Sequence, residues 1–517
     1  MDFTPIARKL LGGRLARATA WEQPEGLEQT QRRVLRWLLH RARHTVAGQR
    51  HGFGYLGTYE EFARRVPATG YEGIRSDVMR MVAGQGDVLW PGKVRRFAQS
   101  SGTSGGKSKY IPVTDDGLRL NHFAGTRDTV ARYLQLYPDS RLFSGRALIL
   151  GGSFANSLDN PAPGVKVGDL SANLIDAIPL AGEIFRVPSR KTALMADWES
   201  KLPAIATESM RHNITNLSGV PSWFLTVLRK VLELAGTDSI HDVWPNLEVF
   251  FHGGIAFGPY REQYRAITDA SRMRYLETYN ASEGFFAVAD TIGGSGMLLL
   301  ADNGVFYEFA PADADPADPH PQALPTWAVR PGEVYSLLIS SCNGLWRYAI
   351  GDTVRIESVA PLRVSIAGRT RCFINAFGEE LMVYNAEEAV AAACAATGAE
   401  VSDYTAAPVY ATSGSRGRHQ WLLEWVREPQ GGAEAFAAAL DKALCAANSD
   451  YQAKRQGGIF LDPPQITAVA PGTFALWLAE TGRLGGQRKV PRLANDRHIA
   501  DRLLEISNDQ SPEGVRQ

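Results

Sequence analysis

Apolar residues recur at helical spacing through the first half of the chain, and short continuous apolar runs separate the helical stretches. Residues 26–48 read as one amphipathic helix, with Val34, Leu35, Leu38 and Leu39 on one face and Arg32, Arg33, Arg41 and Arg43 largely off it, as a solvated face. Helical patterns at 116–136, 190–213 and 221–235 alternate with the strand-like runs 147–150 and 247–251. That alternation predicts α/β layers. The stretch 310–325, rich in Pro, Asp and Ala, reads as an exposed loop, and strand-like segments follow at 333–339 and 353–356. Beyond Gly368-Arg369-Thr370-Arg371 the pattern becomes a helix at 387–396, a strand at 420–426 and a helix at 433–447, which is a compact α+β unit. The 517 residues exceed what one core holds. Pattern and length together predict two domains, 1–368 and 369–517, and no internal repeat is visible.

Composition narrows the partners. Lys and Arg total 55 against 55 Asp and Glu, so no global field draws the chain to nucleic acid or to an anionic membrane. Cys342, Cys372, Cys394 and Cys445 show neither a C-x-x-C pair nor regular spacing, which argues for reduced thiols over a zinc site or a disulfide framework. The first residues lack the charged-then-apolar profile of a secretory signal, and no stretch approaches the ~20 apolar residues of a membrane span. The expectation is a cytoplasmic protein without nucleic-acid or membrane partners. Oligomeric state is left open.

Four segments carry candidate chemistry. Ser100-Ser101-Gly102-Thr103-Ser104-Gly105-Gly106-Lys107-Ser108-Lys109 lies between two extended segments, and its small residues leave backbone N–H groups free to surround a phosphate. A Walker A loop is excluded: Gly102 precedes Gly106-Lys107-Ser108 by only three residues, and Ser101 stands at the required glycine position. Tyr279-Asn280-Ala281-Ser282-Glu283 concentrates an aromatic, a hydroxyl and a carboxylate suited to a base, a phosphate and Mg²⁺. In Trp346-Arg347-Tyr348-Ala349-Ile350-Gly351-Asp352 a carboxylate directly follows a predicted glycine turn, placed to accept from both ribose hydroxyls. Gly485-Gly486-Gln487-Arg488-Lys489-Val490-Pro491-Arg492 is a glycine-led loop with three cations. Taken singly, each has an ordinary structural reading as a linker, a strand end or a basic turn.

In this order the segments resemble the Gretchen Hagen 3 family of acyl-acid amido synthetases, within the adenylate-forming enzymes. Ser100 to Lys109 reproduces S-S-G-T-S-G-G-x-x-K without a gap, and Tyr279, Ser282 and Glu283 meet Y-x-x-S-E. The segment 346–352 answers to Y-R-x-G-D with its aromatic and arginine rearranged. Gly219-Val220-Pro221-Ser222-Trp223 and Gly253-Gly254, followed by Pro259-Tyr260-Arg261, support the likeness, which runs from about residue 26 to Lys489. One departure is Asn280, where relatives often have glycine; asparagine tolerates a left-handed backbone.

The resemblance implies an α/β adenylate-forming fold with a large N-terminal nucleotide- and acyl-binding domain and a small mobile C-terminal α+β lid. It implies ATP and Mg²⁺ as cofactors, with a small carboxylic acid and an amino acid as substrates. Ser100 to Gly106 and Lys109 form the phosphate loop in this reading, with Thr103 and Ser104 assisting at the β and γ phosphates. Ser282 contacts the α phosphate, Glu283 holds the metal, and Tyr279, Gly253 and Gly254 flank adenine. Asp352, helped by Arg369, holds the ribose, and Lys489 bridges phosphate and acyl oxygens during adenylation. Asn216, Trp223, Phe257 and Tyr260 are acyl-pocket candidates, and His252 is a conceivable base for the amine. An acyl-CoA synthetase and an inactive nucleotide-binding homologue are the competing readings. The joint presence of Glu283, Asp352 and Lys489 disfavours the inactive one.

Overall fold

Strand pairing organises the larger part of the molecule. The computed structural model describes residues 2–100, 109–154, 158, 161–255, 257, 260–312, 314–315, 318–369, 373–379, 381–411, 416–456, 461–480 and 490–509. Strands β1 (Arg96–Ser100) and β2 (Lys109–Pro112) pair antiparallel, with Ser100 opposite Lys109. After β3 (Arg146–Ile149), strand β4 (Lys166–Gly168) returns to lie parallel to β1. Next come β5 (Arg186–Val187), β6 (Ile214–Gly219), β7 (Val249–Gly253) and β8 (Arg274–Ala281). With β3 they build a parallel array in the order β5-β3-β6-β7-β8.

The chain then turns antiparallel. β9 (Gly284–Val288), β10 (Met297–Leu299), β11 (Val305–Pro311), β12 (Leu324–Pro325), β13 (Val334–Ser341), β14 (Tyr348–Val359) and β15 (Leu362–Arg369) extend the same sheet in the order β8-β9-β10-β15-β14-β13-β11-β12. Among the described residues this sheet holds twelve strands. Hydrophobic side chains of both halves, including Phe251, Leu276, Phe286, Phe306, Ile339 and Val354, join one core with Leu38, Phe62, Phe97 and Ile111.

Packing in the chain divides it into one unit over 1–100 with 109–370 and another over 371–517. The smaller unit has a short hairpin, β16 (Phe373–Ile374) with β17 (Leu381–Met382), and a sheet of β18 (Glu400–Val409), β19 (Arg418–Arg427) and β20 (Gln465–Val469). Helices Val383–Thr397 and Gly432–Ala447 cover it around Trp421, Leu423, Phe436, Leu440 and Leu444. The segment after Lys489 lies along β18: the Ala406 N–H donates to the Arg492 carbonyl at 3.0 Å, and the Thr405 hydroxyl donates to the Pro491 carbonyl at 2.6 Å. Lys489 itself lies outside the described residues.

Several sequence expectations change in detail. The helix expected over 26–48 ends at Ala42, and a second one, Val46–His51, starts where Thr45 accepts from the Gly48 N–H. The pattern at 190–213 resolves into Arg190–Ala193 and Trp198–Ser209, with Asp197 capping the second. The helix expected over 221–235 is Pro221–Ala235, entered by proline and left through Gly236 at φ 67°. Pairing in β15 runs through Gly368 and Arg369, opposite Thr353 and Asp352. Asp352 therefore sits inside a twelve-residue strand and not after a turn, although Gly351 is at φ 97°. Asn280 lies in β8 without positive φ, so its backbone is extended and not left-handed.

Candidate active site

The carboxyl ends of β6, β7 and β8 lie side by side, with Gly219 opposite His252 and Gly253 opposite Thr278. In α/β sheets this edge is where ligands bind. A Cβ on Gly253 would come within 2.3 Å of the Thr278 carbonyl oxygen, and Gly254 is held at φ 84°. Both positions need glycine for that reason. Gly253 is buried, and backbone becomes exposed at Gly254, just past the end of β7.

Ser282 and Glu283 form the two-residue tip of the β8–β9 hairpin, closed by Ala281 opposite Gly284. Glu283 is buried, its carboxylate accepts from the Tyr348 hydroxyl at 3.4 Å, and its carbonyl accepts from Asn343 Nδ2 at 3.2 Å. Four residues along β14 from Tyr348, Asp352 Oδ2 accepts from the Tyr279 hydroxyl at 2.6 Å. Four strand steps separate β8 from β14, which in a flat sheet is about 19 Å. The sheet curls to bring these side chains together. Tyr279 is buried with its ring edge-on to Phe286 at 5.1 Å, so its position differs from the open face expected for a base; its hydroxyl reaches Asp352.

The phosphate-loop candidates Ser101, Gly102, Thr103, Ser104, Gly105 and Gly106 lie outside the described residues, as does Lys489. The ladder beneath the loop is described. Its first step pairs Ser100 with Lys109, and the Tyr110 N–H donates to the Tyr71 hydroxyl at 2.8 Å. Two residues before Tyr71, the Thr69 carbonyl accepts from the Ala349 N–H at 2.9 Å, beside Tyr348. The base of the loop is thus tied through residues 69–71 to the strand that carries Tyr348 and Asp352. The Arg369 backbone faces Asp352 across the ladder.

The acyl-pocket candidates divide. Asn216 lies on β6 and is buried; half-buried Trp223 meets Trp198 edge-on at 5.0 Å. Phe257 and Tyr260 are both buried, and Phe257 stacks on His252 at 4.3 Å within a cluster that includes Phe250, Tyr264 and Tyr275. His252 is pushed down to about 3 by burial and then by the Arg261 charge. A histidine so depressed is a weak base, which weighs against it as the group that deprotonates an amine.

Three segments of the chain match known domains: the GH3 family N-terminal domain at 22–273, the GH3 family central domain at 298–369 and the GH3 family C-terminal domain at 384–498. The chain belongs to the GH3 family. A probable indole-3-acetic acid-amido synthetase, GH3.1 of Oryza sativa subsp. japonica, is 24% identical over 92% of this chain and 88% of the relative. The solved structure of the AtGH3.15 acyl acid amido synthetase in complex with 2,4-DB has a TM-score of 0.61 at 17% identity, covering 96% of each chain. A 2-hydroxyisobutyryl-CoA ligase has a TM-score of 0.56 at 14% identity over 92% of each chain. These likenesses establish the large and small α/β units of a GH3 protein as the fold.

Within this GH3 chain the segment 346–352 serves two purposes. Trp346 Nε1 donates to the Leu89 carbonyl at 3.2 Å, and Arg347 pairs with buried Glu308 at 3.0 Å, so both belong to the core. Tyr348 and Asp352 face the hairpin tip and Tyr279. Tyr348 and Asn343 had no assigned role from the sequence. The period-two spacing of Tyr348, Ile350 and Asp352 on one strand face was the available signal.

Proposed function

We propose that this protein is an ATP-dependent acyl-acid amido synthetase, which adenylates a small carboxylic acid and passes the acyl group to an amino acid. The observation that carries this reading is the meeting of Tyr279 with Asp352 and of Glu283 with Tyr348, beside backbone exposed at Gly254, in a chain of the GH3 family. Membership alone leaves the chemistry to be argued from these groups.

Activation comes first, because a carboxylate is a poor acyl donor. An acid oxygen attacks the α phosphorus of ATP, the bond to the β-phosphate oxygen breaks, and pyrophosphate leaves. In this scheme the loop Ser100 to Gly106, with Lys109 at its base, surrounds the departing phosphates through N–H groups and hydroxyls. Ser282 donates to the α phosphate. Asp352, oriented by Tyr279 and faced by Arg369, accepts from the ribose hydroxyls, with Gly253 and Gly254 beside the base. Lys489, on the small unit acting as a lid, stabilises charge during adenylation only. The amine then attacks the acyl carbonyl and AMP departs. Asn216, Trp223, Phe257 and Tyr260 are the residues from which the acyl pocket is drawn.

The residues fit a magnesium ion. Among the described residues no three His, Cys, Asp or Glu side chains cluster as a protein-only cage, while Glu283 is a buried carboxylate at the hairpin tip. Mg²⁺ is commonly held by one or two carboxylates together with substrate phosphates. When bound it would neutralise charge on the phosphates, and Glu283 would hold it.

No helix among the described residues is long and apolar enough to cross a membrane, and the described cysteines, Cys342, Cys394 and Cys445, are free thiols. Cytoplasmic placement is part of this proposal. The test of function is ATP–pyrophosphate exchange with a panel of acids and no amine, followed by product analysis with amino acids, with and without coenzyme A. Exchange without amine and an N-acyl amino acid without coenzyme A are expected. An acyl-CoA as the main product would reassign the acceptor, and exchange that required the amine would overturn the two-step scheme.

A further inference from the structure

The turn that presents Ser282 and Glu283 is held by two buried side-chain amides from distant parts of the chain. Asn343, fully buried after β13, donates from Nδ2 to the Glu283 carbonyl at 3.2 Å and accepts at Oδ1 from the Thr114 N–H at 3.2 Å. Asn121, also buried, accepts at Oδ1 from the Phe285 N–H at 2.7 Å. Its Nδ2 donates to the carbonyls of Phe285 at 3.0 Å and Asn303 at 3.1 Å. These partners fix which way each amide points, because the reverse orientation would set NH₂ against N–H.

Both amides connect the turn to the segment that leaves the phosphate loop. Thr114 follows β2, accepts from the Gly117 N–H at 2.8 Å and donates to the Cys342 carbonyl at 2.6 Å. Asn121 lies on a π-type turn, Leu118–His122, between Asp115–Gly117 and the helix Phe123–Leu136. Such a turn inserts a residue into a helix and often marks a functional site. Here two consecutive residues, Asn121 and His122, are both buried. Glycines flank the turn where the approach is tightest: a Cβ at Gly117 would lie 1.8 Å from Asn343 Oδ1, and one at Gly125 would lie 2.4 Å from the Phe285 ring.

The geometry points to Asn343 and Asn121 as positioning residues that fix the Glu283 turn to the segment 114–121 that follows β2, so that a metal carried on the triphosphate meets the Glu283 carboxylate. This rests on the adenylation reading above. Mg²⁺ demands near-ideal octahedral geometry at about 2.0–2.1 Å, so small displacements of the turn matter.

The test measures ATP affinity of the full chain by calorimetry, with and without Mg²⁺, for the wild type, Asn121→Ala and Asn343→Asp. The second variant keeps the acceptor for Thr114 and loses the donor to Glu283. Its added charge alone would strengthen Mg²⁺ binding, so a weakening reports displacement of the turn. Each variant should lose about tenfold of the Mg²⁺-dependent gain in ATP affinity, the usual scale for groups that orient a metal ligand. ATP affinity without Mg²⁺ should stay within about twofold, since these groups act on the metal ligand. An undiminished gain in either folded variant overturns the inference, and so does an equal fall in the metal-free affinity. A wild type that binds ATP and gains from Mg²⁺ keeps the functional reading in place whichever way the variants behave. A wild type that binds no ATP overturns both.

Discussion

The two halves of the large sheet are filled by different chemistry. On the parallel half, Phe250 and His252 of β7 and Tyr275 of β8 meet Phe224, Phe257 and Tyr264 in an aromatic cluster, with His252 stacked on Phe257 at 4.3 Å. On the antiparallel half, Glu308 of β11 accepts from Arg347 Nε at 3.0 Å and from the Tyr59 hydroxyl at 3.2 Å, with both charged groups fully buried. Arg347 also donates to the Ala63 and Val66 carbonyls at the end of the helix Tyr59–Arg65. It does so from φ 42°, an uncommon conformation for a side chain of this size. The parallel half offers a ligand mainly backbone, at Gly254 just past β7, while the antiparallel half offers side chains, Tyr348 and Asp352. The first half therefore depends on a neutral ring and the second on a buried charge pair, and each should fail under a different perturbation.

Breaking the charge pair should produce the largest effect. Burial holds the Glu308 carboxyl above the usual carboxylate range while Arg347 opposes that shift, so Arg347→Ala leaves an uncompensated carboxylate in the core. Removing one partner of a buried pair costs about 3–5 kcal/mol. Urea denaturation should show a loss of that size, and Arg347→Met with Glu308→Leu should regain most of it. A loss below ~1 kcal/mol, the worth of an exposed pair, would mean that water reaches Glu308.

Acid should act on the parallel half. His252 is pushed down to about 3 and His122, buried on the π-type turn, to about 4, both by burial first. Their unfolded values are near 6.5. The unfolded chain binds more protons between those limits, so the stability contributed by each neutral ring is complete above ~6.5 and is lost as pH falls through the folded value. At pH 5 the loss is about 2 kcal/mol for each ring. His252→Phe, which keeps a ring against Phe257, should reduce the slope of stability against pH between 6.5 and 5 by about one proton, leaving the share of His122 and of His51, His212 and His241, which burial also depresses. An unchanged slope would show that His252 is protonated in the folded chain.

The halves also differ in how far the sequence discloses them. The helix Pro221–Ala235 is legible because an apolar period, a proline at its start and a glycine at its end agree. The break at Arg43 to Thr45 has neither glycine nor proline, so the helical period runs through it and only the Thr45 cap marks the restart. The candidate site follows the same logic. Ser282, Glu283 and Asp352 stand in short contiguous motifs, whereas Tyr348, Asn343 and Asn121 act on groups 65, 60 and 164 residues away. Nothing local distinguishes a buried asparagine that braces a turn from an exposed one at a loop. The curl that brings β14 over β8 is likewise a property of the whole sheet.

The contact that joins the halves gives the smallest and most specific effect. Tyr279 of β8 donates to Asp352 of β14 at 2.6 Å, and the proposed function has Asp352 accept from the ribose hydroxyls. Tyr279→Phe keeps the ring against Phe286 and removes this donor. One such hydrogen bond is worth about 1 kcal/mol net, or roughly fivefold in affinity. ATP should therefore bind the variant about fivefold more weakly by calorimetry, at nearly unchanged melting temperature. The sharper measurement uses 2′,3′-dideoxy-ATP, which lacks the hydroxyls that Asp352 would accept from. If Tyr279 acts by aiming Asp352 at the ribose, the wild type and the variant should bind that nucleotide alike. Equal weakening with both nucleotides would assign the effect of Tyr279 to the base or the phosphates, and Asp352 would then need another role.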